Sequence, residues 1–226
     1  MPGRSDVRRT PSKGHARKVV RHLHADYPDA TCALVYQTPL QLLIATILSA
    51  QCTDQRVNEV TKDLFRKYPT AAHFACVRLP TLEKAVRSTG FFRNKAKNIK
   101  ACCQVLVELY DGEVPQELDR LVALPGVGRK TANVVLGTAY GLATGVVVDT
   151  HVSRLSLRLG LTCFKDPAKA EQDLMRLLPH AEWIDFSHRM IRHGRLVCAA
   201  RRPRCGDCSM AGFCAKIGVN TKAHVP

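Results

Sequence analysis

The spacing of the apolar side chains is the feature that most constrains the fold of this chain. Apolar residues recur every three or four positions along most of the sequence, as in Leu42, Leu43, Ile44, Ile47 and Leu48. This period places them on one face of an α-helix. Only the run V-V-V at 146–148 looks like a strand, and it is too short to found a sheet. The pattern therefore predicts an all-α fold.

Caps, prolines and glycines predict where the helices begin and end. Apolar spacing over 16–23 opens the first helix. Thr38 is a cap followed by proline at the first helical position, and Thr53 or Asp54 caps a helix that ends before Pro69. Further helices are predicted at 80–89, 93–110, 116–124, 129–140, 149–160, 167–178 and 181–196.

The chain carries a large positive charge that is concentrated at its two ends. It has 34 basic and 19 acidic residues among 226, a formal net charge of +15. Residues 1–18 hold six basic residues and one acidic residue, and residues 188–226 hold eight basic residues and one acidic residue. Such an excess indicates a polyanionic partner. Nucleic acid is favoured over a membrane because no basic amphipathic helix stands out; solubility alone is the other interpretation.

Residues 1–18 are rich in Pro, Lys, Arg and Ser and are predicted to be a basic, disordered tail. A DNA-tracking arm, a targeting element and an inert segment all fit this composition, although Asp6 and the low apolar content disfavour a transit peptide. No apolar segment of the kind found in a secretory signal follows the early arginines. The longest apolar stretch, at 39–50, is too short to span a bilayer.

The segment L-P-G-V-G at 124–128 joins two predicted helices through a tight turn. Glycine permits positive φ and a close approach of the backbone to a ligand. The first N–H groups of the next helix favour phosphate oxygens. The segment predicts a helix–hairpin–helix that grips a nucleic-acid backbone without reading sequence, with Gly126, Gly128 and Arg129 as DNA contacts. An ordinary turn between two helices is the alternative.

Two ionisable residues close to the hairpin in sequence are candidates for chemistry. Lys130 lies in the first turn of the next helix, where the helix dipole disfavours an ammonium. Partial burial would act in the same direction and raise the fraction of neutral, nucleophilic amine. Asp149 follows the V-V-V run at a predicted helix start. Taken alone, Lys130 is better explained as a phosphate contact and Asp149 as an N-cap.

Four of the ten cysteines lie close together near the C-terminus with the spacing C-x6-C-x2-C-x5-C. They are Cys198, Cys205, Cys208 and Cys214. Without a signal peptide we expect a reducing compartment, in which such a run indicates a metal centre rather than disulfides. Four thiolates can hold zinc or an iron–sulfur cluster, and spacing with ligand softness does not choose between them.

At these residues the sequence resembles the endonuclease III family of DNA glycosylases in the helix–hairpin–helix superfamily. The resemblance extends from about residue 17 to residue 218. It rests on the hairpin and the four cysteines. It also rests on the stretches L-S-A-Q at 48–51, T-D at 53–54, V-D-T-H-V at 148–152 and H-G-R at 193–195. It implies two α-helical domains with DNA across the cleft between them. One is a six-helix barrel at 33–142, and the other is an iron–sulfur cluster domain formed by 19–32 and 143–226.

The resemblance also implies a base-excision repair enzyme that removes oxidised or ring-saturated pyrimidines and then cleaves the abasic strand by β-elimination. Lys130 would attack C1′ of the extruded nucleotide, and Asp149 would stabilise cationic character on the sugar. Gln51 matches the position that fills the space left by the base. Phe91 matches a wedge position where better-known members carry a smaller aliphatic residue, so Phe92 could share that role.

By the same resemblance, the four cysteines bind a [4Fe–4S] cluster. The cluster loop would present Arg201, Arg202 and Arg204 to phosphates. The expected partner is double-stranded DNA that contains oxidised pyrimidines or abasic sites. We expect a monomer that is cytoplasmic, associated with a bacterial nucleoid and not bound to a membrane.

Two alternatives remain at this point. A monofunctional glycosylase for adenine or uracil mispairs is disfavoured by Lys130, since such relatives generally lack a lysine there. The short C-terminus also leaves little room for the extra domain of adenine glycosylases. A non-catalytic DNA-binding module would use only the hairpin and a structural metal.

Overall fold

The helical pattern of the sequence is realised in the computed structural model, which describes residues 11–219. Those residues form helices and loops and contain no β-strand, so the all-α prediction is confirmed. The α-helices are α1 (Lys13–Asp26), α2 (Pro39–Leu48), α3 (Asp54–Lys67), α4 (Ala71–Cys76), α5 (Leu79–Val86), α6 (Phe92–Tyr110), α7 (Leu118–Val122), α8 (Arg129–Tyr140), α9 (Thr150–Leu159), α10 (Pro167–Leu177) and α11 (Trp183–Leu196). Short 3-10 helices lie at Arg87–Thr89, His180–Glu182 and Cys205–Asp207.

Side-chain caps explain why several helices begin where the sequence predicts. The Thr38 hydroxyl accepts a hydrogen bond from the Gln41 backbone N–H at the start of α2. The Thr53 hydroxyl accepts from the Arg56 N–H at the start of α3, and the Asp166 carboxylate accepts from the Lys169 N–H at the start of α10. Each cap satisfies one of the N–H groups that the first turn of a helix leaves without an internal partner.

Helix α1 begins inside the segment 1–18 that the sequence predicts to be a disordered tail. Helix α1 begins at Lys13, because the Ser12 hydroxyl accepts a hydrogen bond from the His15 N–H and Ala16 is buried. The rest of that prediction, residues 1–10, lies outside the described residues. A second difference is α4, which the sequence did not predict because six residues are too few to show a helical period.

The strand-like run at 146–148 does not form a strand. Val146 and Val148 are buried in the same core cluster as helices α1 and α9. A single extended segment cannot form a sheet without a neighbouring strand, so its apolar side chains pack against helices instead. The segment leads directly into Asp149 at the start of α9.

The chain divides into two compact units. The central unit comprises Cys32–Thr144. Its core is centred on α2, which is buried on almost every side and packs against α8, while the buried face of α6 packs against α4 and α5. Helix α2 is therefore apolar all round, whereas the helices that cover it are amphipathic.

The terminal unit comprises the described residues on either side of the central unit, 11–31 and 145–219. Helix α1 packs against α11, and Val19 and Leu23 share a core with residues of α9, α10 and α11. Beyond α11 the chain continues as an irregular segment, 197–219, with one short 3-10 helix. Within the described residues, no helix is both long enough and apolar enough to cross a membrane.

Candidate DNA-repair site

The turn between α7 and α8 has the form expected of the hairpin, but its two glycines play different roles. Gly126 has φ +76°, and an added Cβ would lie 2.7 Å from Cβ of Asn98. Gly128 has φ −91°, and an added Cβ would meet open space. Positive φ, expected for both glycines, is therefore found at Gly126 alone. The absence of a side chain at Gly128 keeps the start of α8 open.

The N-terminus of α8 is suited to an anion. Gly128 is its N-cap, and no side chain among the described residues caps the helix there. Its first N–H groups therefore lie at the positive end of the helix dipole, next to the exposed side chains of Arg129 and Lys130. Lys130 is exposed, so the partial burial considered from the sequence is not found in this structure.

Asp149 is the N-cap of α9, as its position in the sequence indicates. Its Oδ1 accepts hydrogen bonds from the backbone N–H groups of His151 and Val152, both at 2.8 Å. The side chain is half-buried. Both bonds use one carboxylate oxygen, so they fix the orientation of the carboxylate without using Oδ2.

A partly buried network extends from α9 to the cysteine segment. Nη2 of Arg154 lies 3.2 Å from Nδ1 of His151 and donates to the carbonyls of Gly194 and Cys198 at 3.1 and 3.0 Å. Burial lowers the pKa of His151, although Asp149 opposes this effect. A Cβ on Gly194 would lie 2.8 Å from Nδ1 of His151, which explains glycine in the H-G-R stretch. Sequence reasoning missed Arg154, because its partners are distant backbone carbonyls.

The four clustered cysteines line one pocket in the terminal unit. They are Cys198, Cys205, Cys208 and Cys214, and all are half-buried. Burial raises the pKa of the Cys208 and Cys214 thiols, and the neighbouring thiols add to this effect. Within residues 11–219, no three His, Cys, Asp or Glu side chains form a group suited to a single metal ion.

Nitrogen atoms surround the sulfur atoms of this cavity. Nη1 of Arg158 lies 3.2 Å from Sγ of Cys198, and Nε2 of His193 lies 3.7 Å from Sγ of Cys208. The Lys216 backbone N–H donates to Sγ of Cys214 at 3.4 Å. Such bonds stabilise thiolates and orient them as ligands. The sequence did not reveal Arg158 or His193 as partners of the cysteines.

The three arginines predicted to face phosphates differ in their contacts. Arg201, Arg202 and Arg204 are all exposed. The guanidinium of Arg204 also donates to the carbonyl of Leu196, and its Nε lies 3.8 Å from Oδ2 of Asp207. Arg204 therefore supports the loop as well as adding to its positive charge.

Gln51 and Phe91, the two residues matched to base replacement and wedging, share an unusual backbone conformation in the central unit. Their φ angles are +52° and +47°, in the left-handed region that residues other than glycine seldom adopt. Both side chains are exposed, and 64% of Phe91 is accessible. Phe92 is half-buried and packs against the core. Of the two phenylalanines, Phe91 is the one that projects into solvent.

Comparisons with known proteins agree with this set of features. The family model of HhH-GPD superfamily base excision DNA repair proteins matches residues 44–180. Endonuclease III of Synechocystis sp. is 57% identical over 202 residues, which cover 89% of this chain and 92% of that protein. Endonuclease III of Bacillus subtilis is 47% identical over 189 residues, 83% of this chain and 86% of that protein.

A solved structure shares both the fold and much of the sequence. It is a trapped covalent intermediate of endonuclease III with DNA, an estranged-adenine complex. The TM-score is 0.87 at 46% identity, with 91% of this chain and 96% of that chain covered. The predicted fold class and family are thus confirmed. The chain belongs to the endonuclease III family, within the HhH-GPD superfamily of base excision DNA repair proteins.

Proposed function

We propose that this protein is a bifunctional DNA glycosylase and abasic-site lyase of base-excision repair. Its substrate is double-stranded DNA that contains oxidised or ring-saturated pyrimidines or abasic sites. One observation carries this proposal: in a member of the endonuclease III family, the exposed amine of Lys130 lies in the first turn of α8, directly after the hairpin. That position combines a nucleophile with a helix end that attracts phosphate.

Lys130 supplies the covalent chemistry in this proposal. Its neutral amine attacks C1′ of the extruded nucleotide, and the electron pair of the glycosidic bond leaves with the base. Ring opening and loss of the amine protons give a Schiff base between Nζ and C1′. The Schiff base acidifies the C2′ proton, whose removal expels the 3′ phosphate by β-elimination. Water then hydrolyses the Schiff base and returns the free amine.

Asp149 assists this chemistry from a fixed position. Because Oδ1 is held by two backbone N–H groups, Oδ2 is the oxygen available to the sugar. A carboxylate there stabilises positive charge as the base departs and accepts or returns protons at Lys130. The N-cap and the catalytic interpretations of Asp149 are therefore compatible, since each uses a different oxygen.

The remaining DNA contacts are of two kinds: some residues bind the phosphate backbone, and others insert into the duplex. Gly126, Gly128 and Arg129 hold the phosphate backbone at the open start of α8. Gln51 fills the space left by the extruded base, and Phe91 is the wedge. Residues 33–142 form the barrel domain that presents these groups, and 19–32 with 143–226 form the cluster domain.

A [4Fe–4S] cluster fits the cysteine cavity. Its ligands are Cys198, Cys205, Cys208 and Cys214, and support comes from four soft sulfur donors around one cavity with nitrogen atoms close to three of them. Four thiolates also suit zinc, and the resemblance of the cysteine spacing to that of the endonuclease III family favours the cluster. When bound, the cluster cross-links the irregular segment 197–219 and so supplies folding energy.

The cluster loop adds electrostatic affinity for DNA. Arg201 and Arg202 contact phosphates, with Arg204 adding charge, so binding weakens steeply as salt increases. The protein acts as a monomer in the bacterial cytoplasm, in association with the nucleoid where its substrate is found.

Borohydride trapping tests the proposed activity. We expect wild-type protein to form a covalent adduct with duplex DNA that carries an abasic site or an oxidised pyrimidine, because borohydride reduces the Schiff base at Lys130. Lys130→Ala should retain DNA binding and form no adduct. Iron content measured in the same samples shows whether both proteins carry the cluster.

The alternatives give different results in this assay. Release of adenine or uracil without an adduct would identify a monofunctional glycosylase. Salt-sensitive DNA binding with neither base release nor adduct would identify a non-catalytic module. Either result from cluster-loaded wild type would contradict the lyase proposal.

A further inference from the structure

Two loops of the central unit carry the residues proposed to enter the duplex. Gln51 lies between α2 and α3, and Phe91 lies between the 3-10 helix Arg87–Thr89 and α6. Both residues have left-handed backbone conformations, which cost of order 1–3 kcal/mol each and persist only where the surrounding structure enforces them. The structure must therefore hold each loop firmly from beneath.

Lys95 provides that support from the second turn of α6. Its side chain is only 5% exposed, and its Nζ donates to the carbonyl of Leu48 at 2.8 Å and to the carbonyl of Thr89 at 2.7 Å. Leu48 is the last residue of α2, three positions before Gln51. Thr89 ends the 3-10 helix, two positions before Phe91. One ammonium thus joins the base of both loops.

The chemistry of this contact suits a buried cation. The last carbonyls of a helix have no partner within the helix and carry partial negative charge. Lys95 satisfies one such carbonyl from each of two elements. Burial lowers the pKa of Lys95, and Cys52 opposes this effect. Removal of the ammonium would leave both carbonyls without this donor and would remove this link between the two loops.

We propose that Lys95 is a positioning residue that joins the loops of Gln51 and Phe91, so that both side chains enter the duplex together when the damaged base is extruded. This inference rests on the proposed function. It assigns to Lys95 no contact with DNA and no part in bond breaking. Its effect is confined to the extrusion of the base, which duplex DNA requires and single-stranded DNA does not.

The same helix offers a matched control. Lys100 also lies on α6, and its Nζ donates to the carbonyls of Ala75 and Val77, at the end of α4 and away from both loops. Lys95→Met and Lys100→Met each remove an ammonium from a pair of backbone carbonyls. A purely structural role for Lys95 would give the two variants the same phenotype.

The test compares single-turnover borohydride trapping on duplex and on single-stranded DNA with the same oxidised pyrimidine, at saturating protein. For Lys95→Met we expect the duplex rate to fall at least tenfold and the single-strand rate to stay within twofold of wild type. Lys100→Met should stay within twofold on both. Fluorescence of 2-aminopurine opposite the lesion should show the same slowing of extrusion.

Two results would overturn the inference: an unchanged duplex rate in Lys95→Met, or equal losses in both lysine variants. A failure of the proposed function is distinct, because wild type would then trap neither substrate. If Lys95→Met does not fold, a double-mutant cycle decides. Gln51→Ala and Phe91→Ala should be non-additive in the duplex rate by more than threefold, and additive effects would contradict the joining of the loops.

Discussion

The two units of this protein differ in how they use cysteine and in how they use positively charged side chains away from solvent. In the central unit, Cys102 and Cys103 lie inside the core on α6, where burial raises the pKa of Cys102 to about 12 and that of Cys103 further. These thiols behave as small apolar side chains. In the terminal unit, four thiols surround a cavity with nitrogen atoms directed at their sulfur atoms. Surroundings, rather than residue type, decide whether a cysteine packs or binds.

Buried and half-buried cations also differ between the two units. Lys95 and Lys100 each satisfy carbonyls at the ends of helices in the central unit. In the terminal unit, Arg158 is 7% exposed and donates to the carbonyls of Ala199 and Ala200 as well as to a sulfur atom. A helix end needs one or two donors, whereas an irregular segment needs the several donors of a guanidinium. The irregular segment 197–219 is therefore held in part by polar groups, whereas helix α2 is held by apolar packing.

The largest expected effect is that of Cys205→Ala. Loss of one ligand should abolish cluster binding, so the brown colour and the iron content should disappear. Hydrogen exchange should then show lost protection over 197–219 and retained protection in α2 and α6, because the core of the central unit contains no cluster ligand. Equal loss of protection in both units would contradict this contrast, and zinc without iron in wild type would exclude the cluster.

Arg158→Leu should have the next largest effect. It leaves the carbonyls of Ala199 and Ala200 without their donor, and we expect the terminal unit to lose about 3 kcal/mol of unfolding free energy. The cluster should also be released faster, because the segment that holds it is less stable. The decay of visible absorption measures this rate. Arg158→Lys should restore only part of the loss, since an ammonium lacks the guanidinium fork. The exposed Arg66→Leu is the control, and an equal effect there would refute a special role for Arg158.

Cys103→Ser should lower the unfolding free energy of the central unit by about 2 kcal/mol, because it places a hydroxyl in an apolar core. Urea unfolding measures the loss, and iron content should stay at the wild-type level. Cys76→Ser, at an exposed position, should change stability by less than about 0.5 kcal/mol. A loss of iron in Cys103→Ser would show that the two groups of cysteines are not independent.

The smallest effect is expected from pH. Burial lowers the pKa of His188 below its usual 6.5, while Asp185 acts in the opposite direction. The unfolded chain therefore binds the proton more readily than the folded one. This contribution to stability should be constant well above the unfolded-state pKa of about 6.5. It should fall as the pH decreases through 6.5 toward the lower folded-state pKa. His188→Gln should reduce the slope of this dependence in urea unfolding between pH 7.5 and 5.5, while His151 maintains part of it. Parallel curves for the variant and the wild type would exclude the effect.

Much of the fold could be predicted because its signals are local. Thr38, Thr53 and Asp166 cap helices within three residues of themselves, and the apolar period identifies the buried faces. The start of α1 was placed too late because basic residues obscured its amphipathic face. Helix α4 was missed because it spans little more than one turn. Local patterns are informative only over several turns.

The candidate site was predictable only in part, for a related physical reason. Lys130, Asp149 and the four cysteines belong to contiguous motifs. Lys95 and Arg158 do not, because each is a buried cation whose partners are backbone carbonyls. A carbonyl carries no residue identity, so no sequence pattern reveals such a contact. The left-handed conformations of Gln51 and Phe91 are likewise enforced by tertiary contacts rather than by local preference.

The pairing of α1 with the distal part of the chain constrains the order of events during synthesis. The central unit is continuous, so it can fold as soon as Thr144 has left the ribosome. Helix α1 emerges first but must wait for α11 and for Met210, with which it shares a core. Until then its apolar face, including Val19 and Leu23, stays uncovered. The first of the described helices is thus among the last to reach its native contacts, and the nascent protein carries an exposed apolar face through most of its translation.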